Sequence, residues 1–160
     1  MKIKGLIDED FVNYKLPSMF ILTYTCDWKC CVEANIPIET CQNCELSQSE
    51  TYEISIEELY QRYIDNPISE SIVIGGLEPA KQMDEINYLV KYFRDDGCND
   101  DIVIYTGYYE NEITSWITYL KQFSNVVFKF GRFIPNHKPH YDKILGVNLT
   151  SDNQYGKKIS

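Results

Sequence analysis

Ser71-Ile72-Val73-Ile74-Gly75-Gly76 packs three β-branched apolar residues in a row and ends in a glycine pair. A run without polar alternation reads as a strand buried on both faces, the habit of parallel sheets. Similar runs recur along the chain. Met19 to Thr25 is one, and Asp101-Ile102-Val103-Ile104-Tyr105, leading into Thr106-Gly107, is another. Asn125 to Phe130 is a fourth strand and Ile144 to Leu149 a fifth. Helical patterns lie between them. Ser55-Ile56-Glu57-Glu58 forms a capping box, with Ile54 and Leu59 placed as a hydrophobic staple. Ile56, Leu59, Tyr60 and Tyr63 then share a face. Met83, Ile86, Leu89, Val90 and Phe93 form a second apolar stripe, and Ile113, Trp116, Ile117 and Leu120 a third.

Strands of this kind, alternating with amphipathic helices, predict an α/β fold with parallel strands and right-handed crossovers. The 160 residues make one domain, 1–160. A closed eight-unit barrel takes about 250 residues. The expectation is therefore a partial, open (β/α) barrel of about five or six parallel strands, with the site at the strand C-terminal ends. The thiols that follow Thr25, the Gly75-Gly76 pair and Thr106-Gly107 would all meet there.

A net charge of −9 argues against nucleic acid as the main partner, since phosphates need a cationic surface. Lys129, Arg132, His137, Lys138, His140 and Lys143 form a local basic stretch that reads first as a solvated loop, with docking of an acidic protein partner as the other reading. No apolar stretch of about 18 residues exists to span a membrane. The first ten residues turn acidic too early for a signal peptide. The expectation is a cytoplasmic protein with reduced thiols.

Five of the six cysteines crowd into the loop 26–46: Cys26, Cys30, Cys31, Cys41 and Cys44. Cys98 stands apart, at a helix-to-strand turn. An iron–sulfur cluster that binds a cosubstrate needs three thiolates and one open iron, whereas a structural zinc ion needs four ligands. Spacing alone leaves both open.

Other segments carry a resemblance. Ile74-Gly75-Gly76-Leu77-Glu78-Pro79 resembles the Gly-Gly-Glu-Pro motif of radical S-adenosylmethionine enzymes, with Leu77 inserted. Tyr105-Thr106-Gly107-Tyr108, Gly131-Arg132-Phe133, the tail from Leu145 to Gln154, and Cys41-Gln42-Asn43 with Glu45-Leu46 resemble the activating proteins of anaerobic ribonucleotide reductase. That family spaces its cluster ligands Cys-x3-Cys-x2-Cys. Cys26 and Cys30 fit, but the third position holds Glu33. The resemblance implies Cys41 as the third ligand, in a loop about eight residues longer, which costs little extra closure entropy; a wider-spaced set of Cys26, Cys41 and Cys44 stays open. Cys31 and Cys44 are alternates.

The resemblance implies a 4Fe–4S cluster on Cys26, Cys30 and Cys41, with S-adenosylmethionine as cosubstrate. Reductive cleavage would yield a 5′-deoxyadenosyl radical that takes hydrogen from a glycine of the reductase. It implies a one-electron donor such as a flavodoxin, and no catalytic residue beyond the cofactor ligands. Gly75, Gly76, Glu78, Thr106 and Gly107 would meet the cosubstrate, with Trp28 and Asn148 adding contacts. Two other readings remain at this point: a radical enzyme of the same fold acting on a small molecule or peptide, and a non-catalytic zinc-binding interaction module.

Overall fold

The computed structural model describes residues 1–160. In chain order the strands are β1 (Lys2–Asp10), β2 (Ser18–Thr23), β3 (Tyr52–Glu53), β4 (Ser71–Gly76), β5 (Asp101–Tyr105), β6 (Val126–Phe130), β7 (His140–Asp142), β8 (Val147–Leu149) and β9 (Tyr155–Lys158). The helices are α1 (Lys29–Ala34), α2 (Cys44–Gln48), α3 (Ile56–Asp65), α4 (Met83–Asp95) and α5 (Thr114–Leu120).

Seven strands form one mixed sheet in the order β3-β1-β2-β4-β5-β6-β9. β2, β4, β5 and β6 run parallel. β1 pairs antiparallel with both β2 and β3, and β9 pairs antiparallel with β6. This corrects the expected open barrel of five or six parallel strands. Connection length explains the difference. Seven residues join β1 to β2, and a parallel crossover needs a dozen or more. The segment expected as a fifth parallel strand turns at Gly146, whose φ is +75°, and β8 pairs only with β7 in a separate hairpin. Four strands, β1, β3, β7 and β9, lie outside the apolar runs that the sequence marks as strands.

Successive crossovers step one way across the sheet, from β2 to β4 to β5 to β6. Connections of constant hand then put α3, α4 and α5 on a single face. The registers show the two faces directly. Val73, Val103 and Val127 lie side by side, while Ile72, Ile102 and Val126 form the neighbouring row. The isoleucine row joins the large core beneath the helices, with Leu59, Leu89, Phe93, Trp116 and Leu120. The valine row packs under Tyr14, Leu145 and Leu149, which come from the β1–β2 loop and the β7–β8 hairpin. Both faces are covered, which is why the strands read as continuous apolar runs, but only one cover is helical.

Local signals hold where the chain supplies them. Ser55 accepts the Glu58 amide at 3.0 Å and starts α3, with Ile54 and Leu59 both buried beside it. In β6, Phe128 and Phe130 stack at 4.9 Å, and Trp116 meets Phe128 edge-on at 5.3 Å. Phe128 is fully buried among these rings. Phe128→Ala should cost about 3–5 kcal/mol, from lost burial plus the cavity left behind. Urea unfolding would measure it, and a loss below about 1 kcal/mol would show that this aromatic column is not part of the core.

Candidate functional site

A cavity of about 330 Å³ opens where β2, β4, β5 and β6 end. Its wall is assembled from separate segments: thiols from the loop after β2, Gly76 to Glu78 after β4, Thr106 and Gly107 after β5, and Lys129 from β6.

The end of β4 organises the loop. The Glu78 amide donates to the Thr25 carbonyl at 2.9 Å, and the Gln82 side chain accepts the Tyr24 amide at 3.0 Å. On the far side of the loop, Asn43 donates to the Gly76 carbonyl at 2.6 Å. Gly76 has a φ of +83°, and a Cβ there would lie 2.9 Å from Leu22 and 3.0 Å from Leu46. Only glycine lets the strand turn aside between these two leucines.

The Glu78 carboxylate is almost fully buried and accepts three hydrogen bonds: from the Ala80 amide at 2.9 Å, the Thr106 hydroxyl at 2.6 Å and the Gly107 amide at 2.9 Å. Burial raises its pKa, and the three donors oppose that rise. Lys129 is equally buried and donates to the Gly131 carbonyl at 2.8 Å. Burial depresses its ammonium to about 8, with the Glu78 charge acting the other way.

Cys26, Cys30, Cys31 and Cys41 line the cavity. Cys30 and Cys31 lie 3.9 Å apart through Sγ. Burial pushes the Cys26 thiol up to about 11, eased by the Trp28 amide that donates to its sulfur at 3.3 Å. Interaction with the Cys41 thiol lowers Cys30 against the effect of burial, while interaction with Cys30 and burial together raise Cys41. Burial thus opposes ionisation at Cys26, Cys31 and Cys41, and a bound cation is what removes such protons. A tetrahedral zinc ion gathers its thiolates to about 3.8 Å from one another. Cys30 and Cys31 have that separation, and no third thiol, histidine or carboxylate joins them at metal-ligand distance, for zinc or for a cluster. Thiolates around the rim of a cavity suit a larger inorganic group, in which each sulfur meets a different iron.

A family model described as "4Fe-4S single cluster domain" matches residues 19–154. The chain belongs to that family. The match takes in the cysteine loop, the ends of β4, β5 and β6, and the β7–β8 hairpin, so an iron–sulfur cluster belongs to the same domain as the cavity. Searches of curated proteins and of solved structures found no match. No helix of the single-cluster domain is long and apolar enough to cross a membrane.

The sequence-predicted residues fall into two groups. Cys26, Cys30, Cys31, Cys41, Trp28, Gly76, Glu78, Thr106 and Gly107 all reach the cavity. Gly75 faces the sheet instead, where a Cβ would come 3.0 Å from Tyr105 and 3.3 Å from Phe20. Cys44 is buried at the start of α2, where Gln48 donates to its sulfur at 3.7 Å. Asn148 is exposed on β8, opposite Tyr141. Cys98 is buried by the turn after α4.

Lys129 and Arg132 correct the reading of a solvated basic loop: both are buried, at 8% and 3% exposure, while His137, Lys138 and Lys143 are exposed. The signal for Lys129 was available. A lysine between Val127-Phe128 and Phe130, in a strand apolar on both faces, has no solvent to reach.

Lys129 makes a signed prediction. The unfolded chain holds this proton to about 10.5 and the folded chain only to about 8. Across that window the unfolded state binds more protons, so the lysine's contribution to stability rises with pH. The stability difference between wild type and Lys129→Met should therefore move toward wild type from pH 8 to 10.5. Urea midpoints over a pH series would test it, and a flat difference would place Lys129 in solvent.

Proposed function

We propose that this single-cluster domain is a radical S-adenosylmethionine enzyme that activates a glycyl radical enzyme of the anaerobic ribonucleotide reductase class. The observation that carries the reading is the convergence on one cavity of Cys26, Cys30 and Cys41 with Gly76, Glu78, Thr106 and Gly107. These are the segments whose resemblance to that family was drawn from sequence.

Each residue has a job that its geometry suits. Cys26, Cys30 and Cys41 would hold the cluster by three thiolates, leaving a site on it for the cosubstrate. Gly76, without a side chain, presents bare backbone to that cosubstrate. Glu78 locks the ends of β4 and β5 at a constant spacing through Thr106 and Gly107. Lys129 uses one donor on Gly131, and its remaining N–H groups suit a ligand carboxylate. Trp28 covers the loop side of the cavity. When bound, the cluster would supply one electron for the reductive cleavage of S-adenosylmethionine, the chemistry from which hydrogen abstraction at the partner's glycine would follow. The exposed ammonium groups of Lys138 and Lys143 offer an acidic electron donor such as a flavodoxin a place to dock.

Anaerobic reconstitution with iron and sulfide should give about four of each per chain. Cys26→Ala, Cys30→Ala and Cys41→Ala should each lose the cluster, and Cys44→Ala should keep it. Reduced protein given S-adenosylmethionine should release 5′-deoxyadenosine, and mixing with an anaerobic reductase should produce a glycine-centred radical by electron paramagnetic resonance. Bound zinc without visible absorption would sink the reading. Turnover of a small molecule or peptide with no glycyl radical would replace the activase with a different radical enzyme.

A further inference from the structure

The helix α1 carries Cys30 and Cys31, yet it is only six residues long and has no side-chain cap. Helices this short do not persist in water by propensity. Both flanking residues, Trp28 at φ 58° and Asn35 at φ 50°, are left-handed, so the backbone changes direction at each end. What holds α1 in place must come from outside it.

Lys29 and Glu33 lie four residues apart, on one face of α1. Lys29 pairs with Glu112. Glu33 approaches the Arg132 Nε at 2.8 Å. That contact is a charge pair and not a hydrogen bond, because the Nε–H points elsewhere. Arg132 and Glu112 close the circuit with two parallel hydrogen bonds of 2.7 and 2.6 Å. Charges therefore alternate along a chain of three pairs, Lys29–Glu112–Arg132–Glu33, whose two ends both sit on α1. The two halves differ in character. The Arg132 side chain is 4% exposed and packs 4.8 Å from the Tyr109 ring, whereas Lys29 and Glu33 are 37% and 49% exposed. One half is built into the body, and the other is offered by the helix.

We propose that Arg132 and Glu112 are positioning residues that grip α1 through Lys29 and Glu33 and so hold Cys30 against the cavity. The assignment of Cys30 as a cluster ligand rests on the function proposed above; the grip itself does not. The catch is screened by salt because half of it is exposed, and its release frees α1 to turn about Trp28 and Asn35.

The test uses the full chain in two forms. In metal-free protein, amide exchange over residues 29–34 is followed by mass spectrometry for wild type, Glu33→Gln and Lys29→Met. Both altered positions are part-exposed, so their thermal midpoints should stay close to wild type. Exchange should quicken about fivefold in each variant, the scale of one lost partly exposed pair. Wild type should quicken similarly at about 1 M salt, where the screening length is about 3 Å, and the variants should respond less. Acrylamide quenching should follow, since Trp116 is buried and Trp28 reports the hinge. In reconstituted protein, the same variants should release iron to a chelator faster. Equal exchange in all three proteins with no effect of salt would overturn the grip. Faster exchange with unchanged iron release would overturn its role in placing Cys30. If wild type takes up no iron, the cluster reading fails by itself, and the exchange result still decides the grip.

Discussion

The buried carboxylate of Glu78 is the constraint on which the site depends. Three donors converge on it from two different strand ends, and its own backbone amide reaches back to Thr25 where the cysteine loop begins. A carboxylate removed from water in this way is tolerable only because its acceptor sites are filled. The arrangement therefore specifies itself: move β4 against β5, and an unpaired charge results. Lys129, buried nearby on β6, extends the same electrostatic unit to a third strand. The cavity wall is thus set by polar groups, while the sheet beneath it is set by apolar rows.

Handedness does the rest. Because the crossovers all step the same way, the helices are used up on one face and supply the large core. The other face gets only a loop and a hairpin. Strand ends between a thick cover and a thin one leave room for a cavity, and the long cysteine loop folds over it. The loop is anchored twice to β4, through Thr25 and through Asn43, so its two ends are held by the strand whose glycine turn they surround.

Much of this was legible in the residues. The continuous apolar runs found β2, β4, β5 and β6 because burial on both faces leaves no polar alternation to confuse them. The Ser55 cap located α3 for the reason that its hydroxyl has a backbone amide to satisfy. Apolar runs alone do not fix strand direction: a seven-residue link makes β1 antiparallel to β2, and a hairpin at Gly146 takes β8 out of the sheet, so no barrel forms. β1, with Lys2, Lys4 and a run of acidic residues, carries little apolar signal since one of its faces meets solvent. The site was read well where a residue type carries its own chemistry, as with the thiols and Thr106-Gly107. It was read poorly where burial alone gives a residue its meaning, as with Lys129 and Arg132. Position 33 is the most telling case. Where the resemblance expects a third cysteine, a glutamate faces Arg132 at 2.8 Å.

The unequal covering of the two sheet faces bears on how such a fold can diversify. The helical layer shares one continuous core, so a change there is felt throughout the domain. The opposite cover, from Tyr14 in one loop to Leu145 and Leu149 in the hairpin, rests on a much smaller apolar cluster. It also borders the cavity, where Asn13 and Thr150 contribute to the wall. Insertions or exchanges in those two segments alter what the cavity admits while the helix-covered core stays whole. The thin face is accordingly where a change of sequence reshapes the cavity wall at the least cost to the larger core.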